Sequence, residues 1–449
     1  MSAEATESQI AEWRTYVADA AAVNGHDVEE LETHLRDQIA ELNAAGLAAD
    51  EAFLIAVKRM GDLDTLSREF AREHRGRLWK QLVLRSDDEA ATAAAGWFEA
   101  LVFALAAGLA IQVVRLSADF PDGAPSWLMR NLGLFVLPFL AGYFARRRQL
   151  EPRAWLVAAA PIAGLALAVN LFPYSVDSVT EVLVAVHLPV LLWFLVAYPY
   201  MRGSIGSHER RMDFVRFTGE WAIYYALIAL GGGVLLGLTA LILEPLGPNV
   251  AESVIEWVLP SGAAGAVIVA AWLVESKQRV VENMAPVLTT LFTPLFALML
   301  PVAAVTYAVS GVAGDFDREL LGVFDALLVV VLGLVLYAMS AREPARPPGF
   351  MDHVQLVAIV SALALDLMVL GAMVARIGDL GFTPNRIAAL GLNLVLLINL
   401  ARTVWLSVGF LRGRLPFHRL ERWQTSYLPV FALWVAIVVV GLPLMFAFN

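Results

Sequence analysis

Val354 to Arg376 reads VQLVAIVSALALDLMVLGAMVAR, and before Arg376 its only ionisable residue is Asp366. As a helix rising about 1.5 Å per residue, it reaches across a hydrocarbon core about 30 Å thick. Working outward in both directions, comparable apolar stretches occur at 96–116, 127–145, 154–171, 179–201, 220–243, 254–274, 286–311, 320–340, 384–411 and 427–447. The pattern predicts an all-α, polytopic membrane protein with about eleven spans.

The segments between these stretches set a direction. Loops 146–153, 202–219, 275–285, 341–353 and 412–426 hold 4, 4, 2, 2 and 4 Lys+Arg. The alternate loops 117–126, 172–178, 244–253, 312–319 and 377–383 hold 0, 0, 0, 1 and 0. Short loops rich in Lys and Arg stay on the cytoplasmic side, so the alternation predicts a cytoplasmic N-terminus and Asn449 outside. Trp97, Trp127, Trp155, Trp221 and Trp423 stand at or beside span starts, where an aromatic belt is expected.

Composition agrees with lipid as the solvent. The 449 residues are 59% apolar and 16% charged, whereas a soluble chain carries about a quarter charged residues. Residues 1–95 hold 19 of the 42 acids and only 10 of the 32 bases, so the acidic excess is concentrated there. A net charge of −10 offers no electrostatic footprint for nucleic acid. With no cysteine and seven scattered histidines, thiolate chemistry is excluded and a histidine-built zinc site is not expected. The opening MSAEATESQI has neither a basic n-region nor an apolar h-region, so no signal peptide is expected.

Residues 1–75 read as a small helical bundle. Ile10, Trp13, Val17 and Ala20 mark one amphipathic helix. Asp27 and Glu30 suit a capping box ahead of the stripe Val28, Leu31, Leu35, Ile39 and Leu42, and Gly46 suits the stop. Phe53, Val57 and Met60 mark a third helix; Asp62 caps a fourth with Leu63, Leu66 and Phe70 inward. The run ELETHLRDQIAELNAAGLAADEAFLIAVKRMGDLDTLSREF carries Gly46, Glu51-Ala52 and Met60-Gly61-Asp62. In these features it resembles the permease prefix domain, related to the HAAS signalling domain, with Met60 replacing the more usual Leu. The resemblance covers roughly residues 8–73 and implies regulation or partner contacts for a bacterial permease or other membrane protein. It brings no catalytic residue, and His34 within it reads as a surface histidine.

The charge changes sign at residues 68–86, where Arg68, Arg72, Arg75, Arg77, Lys80 and Arg85 face only Glu69 and Glu73. With Trp79 and the neighbouring leucines, residues 76–95 read as a basic amphipathic juxtamembrane linker ahead of the membrane domain 96–449.

Inside the spans, ionisable residues carry the most information, because a charge at mid-bilayer costs several kcal/mol unless it is paired or hydrated. Asp325 lies about one turn inside its span, and Asp366 lies near the middle of its own. On the next span Asn393, Asn399 and Arg402 follow, and Arg402 falls within about 5 Å of the depth of Asp366. Asp366, Asn399 and Arg402 are therefore the candidate intramembrane polar site, with Asp366 and Arg402 as an expected pair. Pro294 and Pro301, in TPLFALMLP, are the candidate helix break. The run Gly231, Gly232, Gly233 with Gly237 predicts close helix packing.

RIGDLGFTPNRIAALGLNLVLLINLAR, through Gly381, Phe382, Thr383 and Arg386, resembles the Gly-hydrophobic-Thr-x-x-Arg hairpin of a broad family of multispanning bacterial proteins of unknown function. The resemblance extends over about residues 180–449 and implies no activity. Thr383 as a cap, Pro384 in the first turn and Arg386 near the headgroups give the motif a structural reason. No HExxH, GxSxG, GxGD-type pair or Walker motif is present, so neither catalysis nor a cofactor is expected. The expected function is a permease-like or transport-accessory protein of the bacterial inner membrane, with the lipid bilayer and a cytoplasmic protein bound through residues 1–75 as partners. The alternative is a membrane-bound sensor or regulator that relays a signal through the same domain.

Overall fold

The computed structural model describes residues 10–11, 25–44, 47, 52–53, 55–57, 87–117, 125–243, 248–276, 284–310, 318–343 and 346–449. Among these residues the regular structure is helical and no strand occurs. The chain divides into two compact units, Met1–Thr92 and Ala93–Asn449.

In the first unit, α1 spans Gly25–Ala44 and so begins two residues before Asp27, the expected cap. Leu35, Ile39 and Leu42 recur at helical spacing and are buried with Ile10, Ala52, Phe53 and Ala56 in one small core. His34 is exposed, as its place opposite this stripe requires. Trp13, Val17, Ala20, Gly46, Met60, the expected helix after Asp62 and the basic segment 68–86 lie outside the described residues.

The second unit contains eleven long apolar helices: α2 (Asp87–Ser117), α3 (Ser126–Arg147), α4 (Pro152–Leu171), α5 (Val179–Tyr200), α6 (His208–Leu243), α7 (Pro248–Ser276), α8 (Met284–Ser310), α9 (Arg318–Ala341), α10 (Phe350–Leu380), α11 (Pro384–Leu411) and α12 (His418–Ala436). After α12 a π-helical turn, Ile437–Gly441, leads into α13 (Leu442–Met445). Pro443 has no amide to give the preceding turn, which gives a reason for the wider winding there. The apolar face of α2 shows why lipid is the solvent. Ala100, Ala104, Ala107 and Ile111 are buried, while Phe98, Val102, Leu105, Leu109 and Leu116 form a continuous exposed stripe. An exposed apolar surface of that extent is costly in water and costs nothing in hydrocarbon.

The membrane unit has two main cores. One gathers side chains of α2 to α7, with Leu140, Phe144, Leu188, Leu192 and Ile268 at its centre. The other gathers α8 to α12 around Leu300, Leu328, Ile359, Leu365 and Leu396. Val438 and Leu442, after α12, pack on Ala388 of α11 and Leu183 of α5, so the last span helps join the two.

Three expectations need correction. Span five is one helix from His208, twelve residues before its apolar stretch, and span eleven starts at His418 rather than 427. Hydropathy registers only the part of a helix facing hydrocarbon, whereas the backbone ladder continues into the polar turns. Next, α8 runs unbroken through Pro294 and Pro301. A carbonyl freed by a proline inside a span can be satisfied by neighbouring helices or local adjustment, so the proline need not end the helix. Finally, a Cβ built on Gly231, Gly232, Gly233 or Gly237 meets nothing within 4 Å. These glycines make no close packing among the described residues. The tight approaches are elsewhere, at Gly391 against Trp434 and Gly219 against Tyr337.

Candidate intramembrane acid site

The second core contains the polar groups that hydrocarbon tolerates least. α9, α10 and α11 pack against one another, and each supplies one residue: Asp325, Asp366 and Asn393. Thr383 starts α11 by accepting from the Arg386 amide at 3.4 Å, and Pro384 occupies the first turn. Asn393 follows on the buried face and is 0% exposed. Its side-chain amide donates to a carboxylate oxygen of Asp325 at 2.8 Å and to the Ala389 carbonyl at 2.9 Å. Asp366, in the middle of α10, is also 0% exposed, and neither of its carboxylate oxygens accepts a hydrogen bond. Asp325 stands on α9, which packs against α10.

Arg402 does not neutralise this site. Its guanidinium stacks over Trp405, 4.1 Å from the ring centroid, and it lies on the exposed flank of α11. Depth along the bilayer gave the expected pairing, but helix rotation decides it. Thr403 and Asn399 hold the buried face, and Arg402 is turned about 100° from Thr403. The expected Asp366–Arg402 pair is therefore not formed, and Asp366 has no ion-pair partner among the described residues.

Asn399 belongs to a neighbouring polar group. It donates to the Gln424 side-chain carbonyl at 3.0 Å, Gln424 donates to the Thr403 hydroxyl at 2.7 Å, and Thr403 donates back to the Asn399 carbonyl at 2.7 Å. This closed triangle joins α11 to α12. One residue on, the Thr425 hydroxyl meets His208 Nδ1 at 2.8 Å at the start of α6. Polar side chains thus run along α11 and α12 to the end of the bundle that carries Arg211, whose guanidinium donates to the Thr425 carbonyl.

A second charged cluster, on α3, α4 and α5, escapes a reading of the sequence that ranks residues by distance from the span end. Arg130 pairs with Glu181, and both are buried. Asn131 and Asn170 exchange reciprocal side-chain hydrogen bonds at 2.8 Å, and Asn170 also accepts from Arg130 at 3.2 Å. Ser178 caps α5 by accepting from the Glu181 amide at 3.2 Å. Arg130 also lies over the Tyr174 ring, 4.7 Å from its centroid. Burial, opposed by Arg130, pushes the Tyr174 hydroxyl up to about 12, so the phenol stays neutral beside the cation. The available signal was that Arg130 and Glu181 stand just inside spans joined by base-free loops. This cluster is charge-balanced, which fits a structural joint.

Neither Asp325 nor Asp366 has an ion-pair partner among the described residues. Among the described residues no three His, Asp or Glu side chains converge as metal ligands would. Both Asp366 carboxylate oxygens and the Asn393 amide oxygen are buried acceptors without a hydrogen-bond partner, and protonation is the least costly way to relieve a buried carboxylate. Comparison with protein-family models, with curated proteins and with solved structures found no match in any of the three. The chain is a multispanning α-helical membrane protein. No relative lends it an activity.

Proposed function

We propose that this protein is a permease-like or transport-accessory component of the bacterial cytoplasmic membrane, and that its work is coupled to a proton held between Asp325 and Asp366. One observation carries this reading: Asp366 is wholly buried, accepts no hydrogen bond and has no ion-pair partner among the described residues, and a second acid, Asp325, stands on the helix packed beside it. A charge left so would cost several kcal/mol in hydrocarbon, and intramembrane acids of this kind are the usual elements of proton relays. The loop asymmetry supports a cytoplasmic N-terminus. The acidic charge of residues 1–75 and their resemblance to permease prefix domains support docking of a cytoplasmic partner there.

The test uses full-length protein in liposomes loaded with a pH-sensitive dye, driven by a potassium diffusion potential. Wild-type protein should acidify the lumen faster than empty liposomes, and Asp366→Asn should return the rate to theirs. Equal rates for wild type and variant would overturn proton coupling. A sensor or regulator is favoured instead if no proton or solute moves while full-length protein retains a cytoplasmic partner that a chain lacking residues 1–75 loses. That reading rests on the first unit having a core of its own.

A further inference from the structure

A cleft of about 420 Å³ opens at one end of the bundle, between α3, α5, α6 and α7. Its charged lining consists of Arg148, Arg202, Arg210 and Arg216 against Asp213 and Glu220. This is the end at which the basic segments meet, since Arg216 of α6 donates to the Ser340 carbonyl at the end of α9.

How these arginines are held matters more than how many there are. Arg210 donates to the Met201 carbonyl at 2.6 Å and to the Ser204 hydroxyl at 3.0 Å. Arg216 donates twice to the Ser340 carbonyl, at 3.0 and 2.6 Å, and approaches Asp213 only to 3.9 Å. Neutral carbonyls orient a guanidinium without cancelling its charge. Arg148 is paired with Glu275 at 2.7 Å, but that carboxylate also faces Arg147 at 3.8 Å, so two cations share one anion. Arg202 is exposed, in a tight turn with φ of 52°, and has no ion-pair partner among the described residues. The cleft therefore holds fixed donors with a positive surplus. Tyr200, Phe217 and Val274 line it beside these charges, which gives a ligand both an anionic and an apolar contact.

We infer that this cleft binds a phosphate-bearing anion, with the headgroup of an acidic phospholipid as the source that its place and lining favour. Arginine forks match phosphate oxygens in geometry, and basic clefts between helices at a membrane surface take such headgroups. A net-anionic ligand should be preferred to a zwitterionic one carrying the same phosphate, because surplus charge drives the binding.

The experiment titrates full-length protein in a neutral detergent with dihexanoyl phosphatidylglycerol, with dihexanoyl phosphatidylcholine and with sodium phosphate, and reads the melting midpoint by tryptophan fluorescence. Phosphatidylglycerol should raise the midpoint saturably at concentrations where phosphatidylcholine does not. Arg202→Gln, on an exposed turn, should weaken this by about five-fold, as loss of one near-surface cation implies. Asp213→Asn should strengthen it, because it removes an opposing charge without removing a donor. A response to sodium phosphate with the same two dependences, in the absence of one to phosphatidylglycerol, would assign the cleft to the free anion. The inference fails if neither probe acts, if both lipids act alike, or if the response ignores Arg202→Gln and Asp213→Asn. None of these readouts involves Asp366, so they stand or fall apart from proton coupling.

Discussion

Asn393 holds Asp325 by one side-chain hydrogen bond of 2.8 Å, and its second amide hydrogen goes to the Ala389 carbonyl one turn back on its own helix. Both donors are thus committed, and α11 is tied to α9 through a carboxylate that has no cation. Asn393→Ala strands that carboxylate, and leaving a buried acceptor unsatisfied costs about 1–3 kcal/mol. The variant should melt earlier than wild type in detergent. Combining it with Asp325→Ala should lose less than the two single losses together; strict additivity would mean that the bond contributes nothing.

Asp366→Asn should move stability the other way. It keeps the side-chain shape and replaces a buried carboxylate without a hydrogen-bond partner by a neutral amide. The melting midpoint should rise while proton movement is lost, as expected where a destabilised site serves a function. Because Arg402 stacks on Trp405 instead of pairing with Asp366, Arg402→Gln should change stability by the same amount in either background. A strong interaction between the two substitutions would contradict the geometry.

Two glycine substitutions separate close packing from open surface. A Cβ at position 391 would lie 1.9 Å from Trp434 Cζ2, so Gly391→Ala must displace the indole between α11 and α12. Overpacking of this kind costs about 1–3 kcal/mol. Gly237→Ala meets nothing within 4 Å and should be neutral or slightly stabilising. Thermal unfolding of both variants checks the contrast; equal losses would mean that Gly237 is covered by another molecule in the membrane.

Orientation can be read with reporter fusions. Fusions after Gln149, Ser207 and Pro347 should report the cytoplasm, and those after Asp177 and Pro248 the outside, following the alternation of Lys and Arg. Any reversed neighbouring pair would change the number of spans crossed between them.

The eleven spans are legible in the sequence because hydropathy is a local property, summed over about twenty residues. The importance of Asp366 is legible for a related reason: one acid in an otherwise apolar helix is anomalous without knowledge of its neighbours. Its partners are not. Depth can be counted from a span end, but the direction a side chain faces depends on helix rotation, and about 100° separates Arg402 from the buried Thr403. The same limit applies to Gly231–Gly237, where spacing permits close contact without requiring it. The polar starts of α6 and α12 fall outside any apolar window, so the meeting of His208 with Thr425 has no signature in hydropathy.

The pair Arg130–Glu181 offers the sharpest test of how charge is carried inside the first core. Both side chains are buried, the pair joins α3 to α5, and Asn170 and the Tyr174 ring engage the guanidinium from other sides. Removing one partner leaves the other buried and uncompensated, a loss of about 3–5 kcal/mol, whereas an apolar replacement of both restores charge balance. Glu181→Gln and Arg130→Met should therefore each lower the melting midpoint strongly. The double replacement Arg130→Met with Glu181→Leu should recover much of the loss, with Asn131 and Asn170 still satisfying each other through their reciprocal bonds. Proton movement should survive in the double variant, because the cluster shares no residue with Asp325 and Asp366. If the double variant is no more stable than the worse single one, the pair is held by more than charge balance. If it folds but no longer moves protons, the two clusters work as one site.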